Sequence, residues 1–141
     1  MGADLYIKNM DRESQYRGFE VSDEAVAVGY FRDSYNNRGL FAVMSSTLNE
    51  TVSWWKMARE VGLNENYVLS LVEVKIWKKM ILPLLEQFQK TNKLYYKDYD
   101  DAKKKLIKDP KEIKEYHDWA GKLIRFIELA IEKKSGIIWS V

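Results

Sequence analysis

The stretch ADLYIK, residues 3–8, decides the predicted fold class. Its apolar residues alternate with polar ones, which is the period-two pattern of a strand with one buried face. The chain closes with IIWSV, residues 137–141, which follows a predicted helix and has the composition of a second strand. Because a lone strand leaves its backbone groups without partners, we expect these two strands to pair. The sequence therefore predicts an α+β fold, mostly α: a helical bundle with a small sheet that pairs the N- and C-terminal strands, in a single domain over residues 1–141.

The region between the terminal strands carries several helix signals. The last one is the strongest, because Asp109 as N-cap, Pro110 at the first helical position and Glu112 in the first turn precede apolar residues at 3–4 spacing. Residues 40–46 are ambiguous between a strand and a helical turn. Two further helices are predicted, one from Ser22 to about Tyr35 and one that follows Asn49 and ends at Gly62. A long helix is predicted after Asn64, over residues 67–81; we expect it to be buried on several sides, and Pro83 to kink it or end it near Leu82. A short lysine-rich helix is predicted at residues 101–108.

Length and composition place the chain among ordinary globular proteins. Its 141 residues suit one compact domain, and 46% apolar with 31% charged residues is typical of a folded rather than a disordered protein. The absence of cysteine excludes disulfides, a thiol nucleophile and thiolate metal ligands, and it fits a reducing compartment. No apolar run reaches the roughly 18–20 residues that a membrane span requires, and the first residues lack a secretory signal pattern. We therefore expect a cytoplasmic protein that is not associated with a membrane.

Familiar catalytic and phosphate-binding motifs are missing from the sequence. Neither Gly-x-x-x-x-Gly-Lys nor Gly-x-Gly-x-x-Gly occurs, which disfavours NTPases and dinucleotide enzymes of the standard type. His117 is the single histidine, and no Gly-x-Ser-x-Gly or His-Glu-x-x-His pattern occurs in the chain. The acidic residues Asp98, Asp100 and Asp101 lack the glycine that a calcium loop requires at its sixth position. We expect no metal site and no cofactor, and the question of an enzyme stays open, with the non-enzymatic interpretation preferred.

The run VGYFRDSYNN, residues 28–37, concentrates polar groups beside aromatic ones. Arg32 and Asp33 fall in the last turn of the predicted helix, where the helix dipole favours the arginine and opposes the aspartate. We therefore expect a specific hydrogen-bond partner for the aspartate, and the arginine can offer its planar fork to a carboxylate or a ligand. Two interpretations stay open: a buried polar joint between helix end and strand, or a cleft that serves a ligand-binding protein or an enzyme. The ligand-binding candidates are Asp4, Arg32, Asp33, Tyr35 and Glu73.

Charge is unevenly distributed along the chain. Residues 1–70 hold 7 Lys and Arg against 10 Asp and Glu, whereas residues 71–141 hold 16 against 11. The basic half can attract an anionic partner, and its tyrosines are available to stack on bases. The nucleic-acid-binding candidates of this further alternative are Lys103, Lys104, Lys105, Lys108, Lys111 and Lys114, beside Tyr95, Tyr96 and Tyr99.

Four short features occur in a fixed order along the chain. They are the start MGADLYI, the run VGYFRDSYN, the triplet SWW at residues 53–55 and a short strand that closes the chain after a long helix. Together they resemble a family of small uncharacterised proteins of bacteriophages and prophages. The resemblance implies a phage setting, in which small accessory proteins often bind host proteins, and it implies no catalytic residue.

The preferred functional interpretation is a non-enzymatic accessory protein that acts by binding another protein. That partner could be a host protein, and a homodimer is also open. The interpretation rests on the missing catalytic motifs and on five Trp and nine Tyr, residue types that anchor interfaces. The alternatives are the small-ligand protein or enzyme with a polar cleft, and the protein that binds nucleic acid through its lysine-rich segment.

Overall fold

The structure, a computed structural model, describes residues 2–10, 22–62 and 67–140. Helices and short strands are mixed along these ranges, which confirms the predicted α+β class. No helix of the described part is both long enough and apolar enough to cross a membrane. The elements in chain order are β1 (Gly2–Ile7), α1 (Asp23–Ala27), β2 (Tyr30–Ser34), α2 (Leu40–Leu48), α3 (Trp54–Val61), β3 (Val68–Leu69), α4 (Leu71–Gln89), β4 (Tyr95–Lys97), β5 (Lys104–Leu106), α5 (Pro110–Glu132) and β6 (Ile137–Ser140).

Within the described residues, four strands form an antiparallel sheet in the order β2-β1-β6-β3. β1 lies between β2 and β6, and in this register Asp4 stands opposite Arg32 on one side and Ser140 on the other. Every second residue of β1 is buried in the core. We call the side of the sheet that carries Leu5 and Phe31 the core face, and the side that carries Asp4 and Arg32 the second face.

The prediction of a helix over residues 22–35 is wrong for most of that range. Ser22 does cap a helix, but α1 spans only five residues. Gly29 follows with φ +85°. This left-handed conformation favours glycine, because in other residues the Cβ atom would lie too close to the backbone carbonyl oxygen. The chain then continues as strand β2, so Arg32 and Asp33 lie in a strand rather than in the last turn of a helix.

The two helices that follow begin and end at identifiable residues. Residues 40–46, ambiguous in the sequence, belong to α2, which ends at Asn49 in the left-handed conformation. Asn49 is therefore not the N-cap of the next helix. Ser53 caps α3 instead, and its hydroxyl accepts the N–H of Lys56. α3 ends at Gly62, as predicted.

The long helix α4 is displaced from its predicted range. Asn64, its expected N-cap, lies outside the described residues. Ser70 caps α4, and the helix continues through Pro83 to Gln89 rather than ending near Leu82. Pro83 has no N–H to donate to the carbonyl of Lys79, four residues earlier. Both residues are exposed, so water can reach this carbonyl.

The lysine-rich helix predicted at residues 101–108 is wrong. In the described part of the chain, β4 and β5 pair antiparallel as a hairpin instead. Strands this short do not form alone in water, so the hairpin depends on tertiary support. α2 provides it, because the hydroxyl of Thr47 accepts the N–H of Tyr95 at 3.0 Å.

The last long helix, α5, confirms its sequence signals. The side chain of Asp109 caps it by accepting the N–H of Lys111, and Pro110 is its first residue. α5 packs along α4 and also contacts the edge of the sheet. There the indole N–H of Trp119 donates to the backbone carbonyl of Arg32 at 3.1 Å, which satisfies one backbone group of the edge strand β2.

The centre of the core is aromatic and joins the sheet to the helices. Trp54 on α3, Trp77 on α4 and Trp139 on β6 meet with ring centroids 4.8–5.9 Å apart. Phe41 on α2 stacks on Trp54 at 4.0 Å. Buried aromatic side chains of this size each contribute roughly 2–3 kcal/mol, so this cluster stabilises the packing of four elements.

Candidate functional site

Strand β2 divides its polar side chains between the two faces of the sheet. Because side chains alternate along a strand, Phe31 and Asp33 point to the core face, whereas Tyr30 and Arg32 point to the second face. Neighbours at the end of a helix can line one cleft, but neighbours in a strand are separated by the sheet. Arg32 and Asp33 therefore belong to two different polar groups.

Asp33 is completely buried, with 0% of its surface exposed. Within the described residues, four N–H groups donate to its carboxylate. They are the backbone N–H groups of Ser34 at 2.7 Å, Leu40 at 2.7 Å and Phe41 at 3.1 Å, and the indole N–H of Trp54 at 2.7 Å. A carboxylate offers about four acceptor positions, so protein groups alone fill its capacity.

The Asp33 carboxylate connects three elements of the fold. Two of its donors are the first N–H groups of α2, whose N-cap Gly39 has no side chain to satisfy them, so β2 supplies the cap. The third element is α3, which begins with Trp54. Glycine is required at position 39 because an added Cβ would overlap the carbonyl oxygen of Ser34. The carboxylate therefore holds β2, α2 and α3 in one arrangement.

The chemistry around Asp33 suits an ionised structural carboxylate. Burial raises the pKa of its carboxyl group, and the hydrogen bonds from Trp54 and from three backbone N–H groups oppose that rise. All four partners are donors, which match the ionised form, whereas a protonated carboxyl would need an acceptor for its own O–H. The positive end of the α2 dipole also favours the charge. These contacts correspond to the polar-joint interpretation of this residue.

A second carboxylate, that of Asp4, lies on the second face of the sheet. Nη1 of Arg32 is 2.9 Å and 3.1 Å from its two oxygens, and the hydroxyl of Tyr30 donates to it at 2.5 Å. The side chains of Arg32 and Asp4 keep 18% and 24% of their exposure, so solvent screens this ion pair. Burial and the hydrogen bond to Asp4 raise the pKa of Tyr30, which keeps the phenol in its donating form.

Tyr35 lines a cleft of about 380 Å³ between α2, the connection that precedes it and the loop of the β4–β5 hairpin. Polar groups of Asn36, Ser46, Lys97 and Asp98 also line it. The hydroxyl of Tyr35 is buried and no described residue forms a hydrogen bond with it. Burial, and then the nearby negative charges, raise its pKa. Of the predicted ligand-binding residues, Tyr35 is the one that lines this cleft.

Glu73 forms a separate structure at the beginning of α4. Its carboxylate accepts the N–H of Ser70 at 2.9 Å, and the Ser70 hydroxyl accepts the N–H of Glu73 at 3.2 Å, which is a capping box. The Ser-x-x-Glu spacing is its sequence signal. The five predicted ligand-binding residues are thus not brought together: Asp4 and Arg32 share the second face, Asp33 lies on the core face, and Glu73 caps a helix.

The lysines predicted to bind nucleic acid are exposed and lie on the hairpin, on α5 and on the connection between them. Lys103, Lys104 and Lys105 belong to the hairpin, Lys108 to the connection after it, and Lys111 and Lys114 to the start of α5. Nζ of Lys105 forms an ion pair with Asp98 at 2.7 Å. Tyr99 in the hairpin loop is 72% exposed, whereas the guanidinium of Arg38 lies over the ring of Tyr96 at 3.6 Å.

His117 joins α5 to the end of α4. Its Nε2 is 2.8 Å from the backbone carbonyl of Thr91, and its own carbonyl accepts the side-chain N–H of Gln89 at 3.2 Å. Its ring also meets the ring of Phe88 edge-on. These contacts give the histidine a packing role. In the described ranges, no group of three or more His, Asp or Glu residues could hold a metal ion.

The long helix α4, which was predicted to be buried on several sides, leaves one apolar face exposed to solvent. Val72 and Ile76 are 67% and 45% exposed and lie one turn apart on one face, beside the exposed Lys75 and Lys79. We call these four residues the α4 surface. The two lysines at the same helical spacing were the signal that this stripe faces solvent. This surface was not among the predicted sites.

Comparisons of the chain with protein-family models, with curated proteins and with solved structures found no match.

Proposed function

We propose that the protein is a cytoplasmic, phage-type accessory protein that acts by binding another protein, which could be a host protein. The motifs MGADLYI, VGYFRDSYN and SWW support the phage setting. The observation that carries the binding function is the α4 surface, where two large aliphatic side chains are exposed on one helix face.

The exposure of Val72 and Ile76 has an energetic consequence. Full burial of an aliphatic side chain contributes roughly 1.5–3 kcal/mol, and Val72 and Ile76 expose 67% and 45% of their surface, so a partner that covers both gains about 2–3 kcal/mol. Single exposed aliphatic residues are ordinary, but two that are adjacent on a rigid helix make a continuous contact. A third large side chain, Trp55 on the neighbouring helix α3, is 53% exposed. Tryptophan is the residue type most enriched at interface centres.

The charges beside the apolar residues specify the partner. Lys75 and Lys79 are exposed on the α4 surface and carry no ion pair within the described residues. A partner that covers Val72 and Ile76 brings its own rim close to both lysines. Carboxylates on that rim are attracted, and like charges are repelled. The α4 surface therefore fits an apolar patch of another protein that is bordered by Asp or Glu.

Affinity capture with a matched pair of variants tests this proposal. Ile76→Asp places a charge in the middle of the α4 surface, and Gln87→Asp makes the same change of charge on an exposed position of the same helix about 16 Å along its axis. We expect wild type and Gln87→Asp to capture one stoichiometric protein from bacterial lysate. We expect Ile76→Asp to lose it by at least about tenfold in affinity.

The captured protein must then bind the purified wild type, because capture from a lysate alone does not identify a specific complex. Circular dichroism should show the same fold for both variants, since both positions are exposed. The proposal fails if no partner is captured at stoichiometric level, or if Ile76→Asp retains the partner as well as Gln87→Asp does.

A small ligand in the Tyr35 cleft is a second candidate function. The polar lining of the cleft favours it, since side chains such as Asn36, Ser46 and Asp98 can form hydrogen bonds with a polar ligand. Titration with monosaccharides, nucleosides and amino acids, followed by NMR, tests this function. Shifts around the cleft that Ser46→Ala weakens support it, and unchanged spectra with all three compound classes contradict it.

A further inference from the structure

The register of the β4–β5 hairpin determines which backbone groups point out of it. The N–H of Ile107 donates to the carbonyl of Leu94 at 2.8 Å, and the N–H of Asp98 donates to the carbonyl of Lys103 at 2.9 Å. In an antiparallel ladder such hydrogen-bonded pairs alternate with pairs whose backbone groups point outward. Lys104 and Leu106 lie in the intervening pairs. Their N–H and C=O groups therefore point away from β4.

The two edges of the hairpin differ in what covers them. On β4, the N–H of Tyr95 donates to the hydroxyl of Thr47 at 3.0 Å, and the carbonyl of Lys97 accepts the side-chain N–H of Asn37 at 2.7 Å. All residues of β5 are exposed, and within the described residues β5 pairs with β4 alone. β5 thus presents an open edge, on which Leu106 is 42% exposed.

The charge of this edge restricts what can pair with it. Residues 103–108, KKKLIK, contain four lysines and no carboxylate. Asp98 pairs with Lys105, whereas Lys104 donates to the uncharged side chain of Asn49, so Lys103, Lys104 and Lys108 keep their charges without a carboxylate partner among the described residues. A second copy of the same strand would place lysine against lysine, which is unfavourable. A strand that carries carboxylates would meet an opposite charge at several positions.

We propose that the open edge of β5 binds an extended acidic segment of a partner protein, which adds a third strand to the hairpin. The outward N–H and C=O groups of Lys104 and Leu106 form the backbone hydrogen bonds of the added strand. The lysines select the acidic sequence, and Leu106 provides an apolar contact next to Tyr95. The inference rests on the proposed protein-binding function and names the chemistry of a segment that such a partner contributes.

A set of labelled peptides tests the inference by fluorescence anisotropy at an ionic strength of about 0.15 M. The probe is a peptide of about eight residues in which Glu and Val alternate. One control replaces each Glu with Lys, and the other keeps every Glu but carries N-methyl valine. The N-methyl control retains the charge and lacks the valine N–H groups, which are the ones that pair with the β5 edge when valine lies opposite Leu106. We expect the probe to bind at least about tenfold more tightly than either control.

Variants at one position separate the backbone contribution from the side chain. Leu106→Pro removes an outward N–H, and it leaves the ladder to β4 intact because that N–H does not take part in it. Leu106→Ala shortens the side chain and keeps the N–H. We expect the proline variant to lose at least about tenfold in affinity for the probe and the alanine variant to lose less than about threefold. Slower amide exchange at Lys104 and Leu106 in the wild type on peptide binding is the readout that does not depend on a variant.

The other occupants give different results. Equal binding of the Glu peptide and its N-methyl form overturns the inference, because simple charge attraction then accounts for both. Binding of single-stranded DNA that displaces the peptide with higher affinity also overturns it, in favour of the nucleic-acid alternative. If Ile76→Asp abolishes protein capture but binds the peptide normally, the two surfaces are independent. If the wild type does not bind the peptide but still captures its partner protein, the β5 inference is rejected and the proposed protein-binding function stands.

Discussion

Two carboxylates in the same sheet, Asp33 and Asp4, show how burial changes what a charged group does. Asp33 lies on the core face, completely buried, and accepts hydrogen bonds from four N–H groups of three elements. Asp4 lies on the second face, keeps a quarter of its exposure, and contacts Arg32 and Tyr30. The first carboxylate has no cationic partner among the described residues, yet it is the better fixed of the two.

The difference teaches that the number and direction of donors, rather than an opposite charge, determine the structural weight of a carboxylate here. Removing a buried acceptor leaves several N–H groups unsatisfied, and each costs about 1–3 kcal/mol. Removing one partner of an ion pair that water still reaches, as it reaches Asp4 and Arg32, costs about 1 kcal/mol or less, because water replaces the lost partner. The VGYFRDSYNN run contains members of both groups, so substitutions at neighbouring positions should have very different effects.

The largest expected effect is that of Asp33→Asn. The amide is nearly isosteric, but its NH2 group must face N–H donors, so we expect a loss of about 3–5 kcal/mol in the free energy of unfolding. Asp4→Asn is the matched control, for which we expect about 1 kcal/mol or less, because Asp4 is partly solvated. Urea denaturation followed by tryptophan fluorescence measures both. Equal losses in the two variants would contradict the comparison.

Two tryptophans that donate to adjacent residues sharpen the comparison further. Trp54 donates to the buried Asp33 carboxylate, and Trp119 donates to the backbone carbonyl of Arg32. We expect Trp54→Phe to lower the free energy of unfolding by about 2–3 kcal/mol, since it removes a hydrogen bond to a buried charge and leaves a cavity in the aromatic cluster. Trp119→Phe should cost about 1 kcal/mol. Urea midpoints decide between them, and a larger loss for Trp119→Phe would reverse the ranking.

The sequence predicted those elements whose signals are local. The period-two alternation of residues 3–8 identified β1, and the Asp109-Pro110 cap identified α5. β2 was not predicted as a strand, because two of its residues reverse the usual alternation of apolar buried and polar exposed side chains. The carboxylate of Asp33 is buried in the core, and the aromatic Tyr30 lies on the second face. The β4–β5 hairpin escaped because its strands are three residues long and rich in lysine. Its stability comes from contacts with α2 that no local pattern encodes.

The sequence indicated which residues are candidates for the site, but not which of them lie together in the fold. The sequence indicated that Asp33 needs a specific partner, and the structure provides four. The reason given for this need, opposition by a helix C-terminus, was wrong, because Asp33 instead caps the N-terminus of α2 from a neighbouring strand. A helix cap that comes from a neighbouring strand, rather than from the residue at the N-cap position, follows no fixed spacing in the sequence. Gly39, which leaves the first N–H groups of α2 without a side-chain cap, was the only local sign of it.

Alkaline pH offers a test of the second face alone. Burial, and then the hydrogen bond to Asp4, raise the pKa of Tyr30 above its ordinary value of about 10. A raised pKa in the folded state means that the unfolded state loses its proton first. The stability that this group contributes is therefore complete below pH ~10 and decreases as the pH rises, by at most about 1.4 kcal/mol per pH unit.

The variant Tyr30→Phe isolates this dependence. We expect its unfolding free energy to fall less steeply than that of the wild type between about pH 9 and pH 11. Tyr116 is present in both proteins, so its pKa, which burial raises to about 12, does not affect the difference between them. Parallel pH profiles would show that Tyr30 does not donate to Asp4 in solution.

The smallest expected effect is that of Arg32→Lys. The lysine keeps the positive charge, and its ammonium can replace Nη1, the one guanidinium nitrogen that makes both contacts to Asp4, at 2.9 and 3.1 Å. Because both partners reach solvent, we expect a loss of about 0.5 kcal/mol in unfolding free energy. A double-mutant cycle with Asp4→Asn measures the coupling directly, and we expect it to stay below about 1 kcal/mol. A coupling of several kcal/mol, similar to the loss expected for Asp33→Asn, would mean that the second face is as dry as the core face and would remove the distinction between the two carboxylates.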